Sequence, residues 1–356
     1  MLKLRQRMVS RMKWNKNKDV LALMVGHGKS LDGSWDPGCT YGKYTEAGLM
    51  LPIVKAAAAL LRKSGVKVLT DADKDNNRNM KSSVAWANNN GADLYISVHC
   101  DYKLATSGVM YYYGSAEEKK MGAAVAKYVA TYMKLKYKGG KGDNQKFEVN
   151  STEPGIILET GSIKMDLKTL KQAKKYGRAI AKGILKYIGV PVYVSNRAKL
   201  AKTATALAYP GAPDEARYPG GKPTKAYKAA LNEVYPDRSK WGKAPQKGAS
   251  CDVFGGTVAR SSGVDKKFPR GLSDQIKYLP KSDKFSLVKN ATKDKLKDGD
   301  YIIYQKKNSN KGHICMYADG KIKHASHQKW YGRTTKNVAA MLNKSGKEFV
   351  RVYRAK

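Results

Sequence analysis

Histidine is scarce in this chain: five in 356 residues, namely His27, His99, His313, His324 and His327. Acid is scarce as well, with 29 Asp and Glu against 68 Lys and Arg, a formal net charge of +39. That imbalance excludes an ordinary mixed surface. It favours a polyanionic partner: nucleic acid, an anionic membrane or an anionic cell-wall polymer. The four cysteines, Cys39, Cys100, Cys251 and Cys315, stand far apart and no CxxC occurs. This excludes a disulfide framework and reads as reduced thiols. Long apolar runs are missing too. Stretches such as LMLPIVKAAAALL are interrupted or too short to span a membrane. The opening MLKLRQRMVSRMKWNKNKD is basic but has no apolar core, so it is not a secretory signal. The expectation is a protein without a membrane span, made in a cytoplasm. No internal repeat is visible.

What is present suggests two domains, since the length exceeds one small core. DVLALMV is an apolar run that stops at Gly26-His27-Gly28, a strand entering a loop. Thr45 reads as an N-cap, with Glu46 in the first turn of an alanine-rich helix. VKVLT, ADLYISV, SGVMYYYG and GIILE read as strands. RNMKSSVAWANNNG, AEEKKMGAAVAKYVATYMKLKY and LKTLKQAKKYGRAIAKGILKYIG read as helices between them. This alternation predicts an α/β domain, a mostly parallel sheet flanked by helices. Past GVPVYVSNRA the texture changes. CDVFGGTVARSSG is a helix, and DYIIYQ, HICMYA, KIKHAS and EFVRVYR are short strands. They predict an α+β domain with an antiparallel sheet. The expected organisation is a basic extension 1–18, a first domain 19–190, a linker 191–205 and a second domain 206–356.

LYISVHCD poses the chemical question, because a core strand ends in three polar or reactive side chains. His27 and His99 each follow an apolar run, Glu159 ends one, and Glu46 opens a helix. Ligands of parallel sheets bind outside the carboxyl ends of the strands. Two imidazoles and a carboxylate are a zinc donor set, and a further carboxylate can move protons. The bland alternatives are structural histidines and a Glu46 placed for the helix dipole. Asp36, Cys39, Cys100 and Asp101 are competing ligands.

The segment from about 19 to 188 resembles the zinc-dependent N-acetylmuramoyl-L-alanine amidases. The resemblance is carried by VGHGKSLDGSWDPGC, TEAGLMLPIVKAAAALLRKSGVKVLTDAD, VAWANNNGADLYISVHCD and PGIILETGSI, followed by YGRAIAKGILKYIG. It implies that His27, Glu46 and His99 bind one Zn2+ and that Glu159 is catalytic. Ser162 stands where the family usually has phenylalanine, and Cys100 where it usually has a small residue. Strand alternation turns Cys100 back into the protein.

Cys251 begins a helix, which favours thiolate. His313 opens one strand and His324 lies on the next, across an Asp319-Gly320 turn. A nucleophile, a base and an orienting group are one reading. A buried cysteine and two surface histidines are the other. LKDGDYIIYQ with GHICMYADGKIKHAS is similar to NlpC-type cell-wall cysteine peptidases. That implies a papain-like fold with Cys251 as nucleophile, His313 as base and His324 as the orienting residue. Ser250-Cys251-Asp252-Val253 differs from the family's usual order around the cysteine. His327 has no role and is expected at the surface.

Together these features resemble a two-domain phage endolysin of Gram-positive hosts. The implied activity is cleavage of the muramoyl-alanine amide and of a stem-peptide bond, γ-D-glutamyl to diamino acid. Peptidoglycan is the expected partner, with anionic wall polymers held by the basic surface and release through a holin. Two other readings stay open. The second domain is an inactive wall-binding module, or the chain binds nucleic acid. The spread of lysines along the whole chain speaks against the last.

Overall fold

The computed structural model describes residues 14–30, 32–74, 79–100, 107–150, 154–167, 172–208, 224–237, 250–306, 312–326, 330–335 and 348–356. Asp101, His327 and most of the basic extension lie outside these residues. The chain divides into two compact units, Met1–Tyr193 and Val194–Lys356.

The first unit is organised by one six-stranded sheet. Its strands are β1 (Val20–Val25), β2 (Lys67–Leu69), β3 (Leu94–His99), β4 (Val109–Tyr113), β5 (Tyr137–Gly142) and β6 (Gly155–Glu159). The spatial order is β2-β1-β3-β6-β4-β5, parallel except for the β6–β4 pair. The apolar runs have a simple cause. Successive side chains point to opposite faces, and both faces are covered by helices, so both must be apolar. Leu21, Leu23 and Val25 enter the main core with α1 (Glu46–Lys63), α3 (Ala116–Met133) and α5 (Ala173–Ile188). Ala22 and Met24 face the other way, against Val84 and Ala87 of α2 (Met80–Asn89).

The helix ends follow local chemistry. Thr45 caps α1 by accepting from the Gly48 N–H at 3.1 Å. Ser115 and Glu118 form a capping box at the start of α3. Glu118 is buried and also accepts from the Gly155 N–H at 3.1 Å, tying α3 to the first residue of β6. The sequence reading extends this helix through Tyr137, but it stops at Met133. Lys134 turns left-handed at φ 61°, and the polar, glycine-rich YKGGKG becomes edge strand β5.

The second unit carries an antiparallel sheet in the order β7-β12-β8-β9-β10-β11. Its strands are β7 (Phe285–Leu287), β8 (Asp300–Lys306), β9 (Gly312–Ala318), β10 (Lys321–Ser326), β11 (Trp330–Thr335) and β12 (Glu348–Ala355). Asp319 and Gly320 both have positive φ, 52° and 69°, and form the tight β9–β10 turn. Helices α6 (Asn196–Leu207), α7 (Lys225–Val234) and α8 (Cys251–Ser261) contribute to the core on one face, and α9 (Leu272–Tyr278) packs beside α8.

The expected linker 191–205 is corrected by this structure. Most of it is the start of α6, whose Leu200, Ala201, Ala204 and Leu207 are buried in the core of the second unit. Ser195 caps that helix by accepting from the Ala198 N–H at 3.2 Å. Its apolar stripe is short and set among lysines, so the stretch reads as loop in sequence. No helix among the described residues is long and apolar enough to cross a membrane.

Candidate metal centre

Three parallel strands deliver the centre. Register pairs Val25 with Val98 and Glu159 with His99, so β1, β3 and β6 end side by side. His27 follows β1 in a left-handed conformation at φ 62°. A non-glycine residue held there costs on the order of 1–3 kcal/mol, a strain typical of ligand sites. Glu46 is the first residue of α1 and is buried.

The donor atoms converge. His27 Nε2 lies 3.3 Å from Glu46 Oε2, and His99 Nδ1 lies 3.0 Å from Glu46 Oε1. One ligand atom from each residue falls within 4.8 Å of the other two. The imidazoles meet edge to face with centroids 5.1 Å apart. Two glycines make room for them. A Cβ on Gly26 would stand 2.5 Å from the His99 ring, and one on Gly38 would stand 2.5 Å from His27. Asp36 accepts from His27 Nδ1 at 2.8 Å, which turns Nε2 towards Glu46. That is the outer-shell carboxylate that orients metal-binding imidazoles.

The electrostatics are those of a dense, partly dehydrated charge cluster. Burial alone would raise the pKa of Glu46, but His27 and His99 outweigh it and hold the carboxyl far below its usual range. Burial would lower the pKa of His99, but Glu148 and Glu46 outweigh it and hold the imidazole well above its ordinary value. His27 is raised too, by Glu46 and Asp36 against the effect of burial. A cation taking these donors would displace imidazole protons. Donor chemistry, convergence and the glycine cradles all fit a zinc ion.

His27, Glu46, His99 and Glu159 thus lie at the sheet rim, and Asp101 lies outside the described residues. Asp36, a competing ligand in the sequence, is a partner of His27. Cys100 is buried in the main core, with its thiol 3.9 Å from that of Cys39. Sequence reasoning missed Glu148. It lies on the four-residue helix α4 (Phe147–Asn150), buried, with Oε1 3.6 Å from His99 Nε2. Its polar neighbours DNQKF give no sign of burial. A cleft of about 500 Å³ is lined by Tyr41, Tyr44, Ile163, Lys164 and Met165. Tyr44 precedes Glu46 by two residues and Ile163 follows Glu159 by four.

In the second unit, His313 Nε2 and His324 Nδ1 are 2.9 Å apart, both residues buried, with rings edge to face. The main chain of Ile314, next to His313, acts to lower the Cys251 pKa. One expectation is corrected. Burial is the larger effect and pushes the Cys251 pKa up to about 11, outweighing the lowering by the helix-start main chain of Cys251 and Asp252. His313 and His324 are not surface residues.

Residues 21–189 match the model of the Amidase_3 family, N-acetylmuramoyl-L-alanine amidase, and constitute an Amidase_3 domain. The chain is similar to N-acetylmuramoyl-L-alanine amidase AmiC2 of Nostoc punctiforme, at 26% identity over 49% of this chain and 98% of that one, with TM-score 0.43. It is similar to the catalytic domain of CwlV, an N-acetylmuramoyl-L-alanine amidase from Bacillus (Paenibacillus) polymyxa var. colistinus. There the identity is 24%, over 49% of this chain and 100% of that one, with TM-score 0.42. An N-acetylmuramoyl-L-alanine amidase from Clostridium difficile 630 gives 22% identity over 48% and 98%, with TM-score 0.42. No curated protein matches the chain.

Proposed function

We propose that the first unit hydrolyses the amide between N-acetylmuramic acid and L-alanine in peptidoglycan. The observation that carries this is the convergence of His27, Glu46 and His99 within an Amidase_3 domain, beside Glu159 at the end of the adjacent strand. His27, Glu46 and His99 would hold one zinc ion, which supplies Lewis-acid polarisation of the scissile carbonyl. Asp36 and Glu148 orient the two imidazoles from behind. Glu159 accepts a proton from the attacking water and delivers it to the departing alanine nitrogen. The cleft of Tyr41, Tyr44 and Lys164 receives the stem peptide, with Lys164 facing its carboxylates.

A second reading concerns the second unit, and the His313–His324 contact favours it. Cys251 attacks a stem-peptide carbonyl, giving its proton to His313, which His324 orients. His313 passes that proton to the departing amine as the C–N bond breaks, and water then hydrolyses the thioester. The bond cut is γ-D-glutamyl to diamino acid. The chain then acts as a two-domain endolysin, released to the wall through a holin and held there by its positive charge.

Mass spectrometry of digested walls tests both readings, because each cleavage leaves its own termini. Glu159→Ala should abolish release of free muramic lactyl groups and leave peptide-bond cleavage intact. Cys251→Ala should do the reverse. Stem-peptide cleavage that survives Cys251→Ala would leave the second unit as a binding module.

A further inference from the structure

Cys39 and Cys100 are not used by the reaction above, yet both touch its metal seat. Cys100 is buried and follows His99 directly; Cys39 is half-buried, in the loop after Gly38. Their sulfurs are 3.9 Å apart, and the Cys39 thiol also donates to the Cys100 carbonyl at 3.3 Å. Glu46 holds both main chains. Its Oε2 accepts from the Cys39 N–H at 3.1 Å and its Oε1 from the Cys100 N–H at 2.9 Å. Gly38, at φ 67°, allows this approach, since a Cβ there would lie 2.8 Å from Glu46.

Two uses of such a pair differ in the sulfur separation they need. A disulfide needs about 2.05 Å, so the 3.9 Å gap would have to close by nearly half. A tetrahedral ion with metal–sulfur bonds of about 2.3 Å holds two sulfurs roughly 3.8 Å apart, which the pair already satisfies. One ligand atom each from Cys39, Glu46 and Cys100 lies within 4.8 Å of the others. Thiolates select soft cations.

We infer that Cys39, Cys100 and Glu46 form a second, sulfur-rich donor set for a thiophilic cation, overlapping the His27/Glu46/His99 set through the shared carboxylate. The inference rests on Glu46 serving the metal seat proposed above. Binding replaces two thiol protons by one cation and draws Glu46 away from the imidazoles. A soft ion therefore competes with zinc for Glu46 while taking two sulfurs in place of the two imidazoles.

The test is a titration of the chelator-treated full chain with cadmium alone, followed by thiolate-to-cadmium charge-transfer absorption in the ultraviolet. The expected result is a band that saturates at one cadmium per chain. It should disappear in Cys39→Ser and in Cys100→Ala, and persist in Cys251→Ser and in His27→Ala. Cadmium should also weaken zinc binding about tenfold or more in the unaltered chain, an effect that Cys39→Ser removes. No band in the unaltered chain, or a full band in both Cys39→Ser and Cys100→Ala, would overturn the inference. So would a disulfide joining Cys39 and Cys100 in the purified protein. The readout is optical and does not depend on hydrolysis, so absence of amidase activity with a normal cadmium band would count against the amidase reading alone.

Discussion

His27 concentrates several demands at one residue. It follows a buried strand, adopts a left-handed backbone, accepts orientation from Asp36 and presents Nε2 to Glu46. If these serve metal binding, His27→Ala or His99→Ala should bring zinc below one per chain by elemental analysis. Full occupancy in both would remove the ligand set. Asp36→Ala should weaken zinc binding by about 10–100-fold, as loss of an outer carboxylate does elsewhere. Competition with a chromophoric chelator measures it, and an unchanged affinity would mean that Asp36 merely shapes the loop. Cys251 makes a prediction about pH. Burial raises its pKa to about 11, so less thiolate is present at neutral pH and more appears as pH rises. Alkylation by iodoacetamide should therefore keep accelerating up to about pH 10, while a plateau near pH 7 would show that His313 already holds the proton. His27, His99 and Glu159 are legible in sequence because apolar runs stop at each of them. Glu148 is not, since nothing in a short polar segment marks burial. The direction of the Cys251 shift is misread for a related reason: a helix start is visible in sequence, but the depth at which it is buried is not.

Elements were legible in proportion to their periodicity. Strands β1, β3 and β6 and helices α1, α2 and α5 carry strong apolar patterns, and the structure has them. Strand β5 and helices α4 and α6 carry weak ones. The edge strand is mostly glycine and lysine, and α6 depends on four small or medium apolar residues found only when a core closes over them. Ion pairing also joins elements in ways the sequence does not disclose. Arg354 on β12 binds the fully buried Asp300 of β8 through Nε at 2.8 Å and Nη2 at 2.7 Å. Removing one partner of a buried pair costs roughly 3–5 kcal/mol. Arg354 is only partly buried and the Lys297 N–H still reaches Asp300 at 2.9 Å, so Arg354→Ala should cost less, about 1–3 kcal/mol. Urea unfolding should show the loss as a lower midpoint with unchanged slope. A change below about 1 kcal/mol would class the pair with solvent-screened surface bridges.

At the scale of the whole molecule, the net charge of +39 predicts electrostatic retention on the wall. Exposed charges are screened beyond about 8 Å at physiological ionic strength. Binding to whole walls should therefore fall steeply with salt, while a small soluble muropeptide is still cut. Walls stripped of teichoic polymers should bind poorly at low salt in a pelleting assay. Equal, salt-resistant binding to both wall types would point to a specific wall-binding surface. Much tighter retention on double-stranded DNA would revive a nucleic-acid partner. Composition gives the sign of that partner but not its identity. The central claim is narrower: the first unit breaks the muramoyl-alanine amide, and Glu159 moves the protons. Digestion of purified walls in 18O-labelled water tests it most directly. The account predicts one 18O atom in the lactyl carboxylate of muramic acid, matched by a new free alanine amino group. Both signals should fall by about 10²–10⁴ in rate in Glu159→Gln, with zinc still bound. Label confined to stem-peptide carboxylates, or lactyl labelling undiminished in Glu159→Gln, would contradict it.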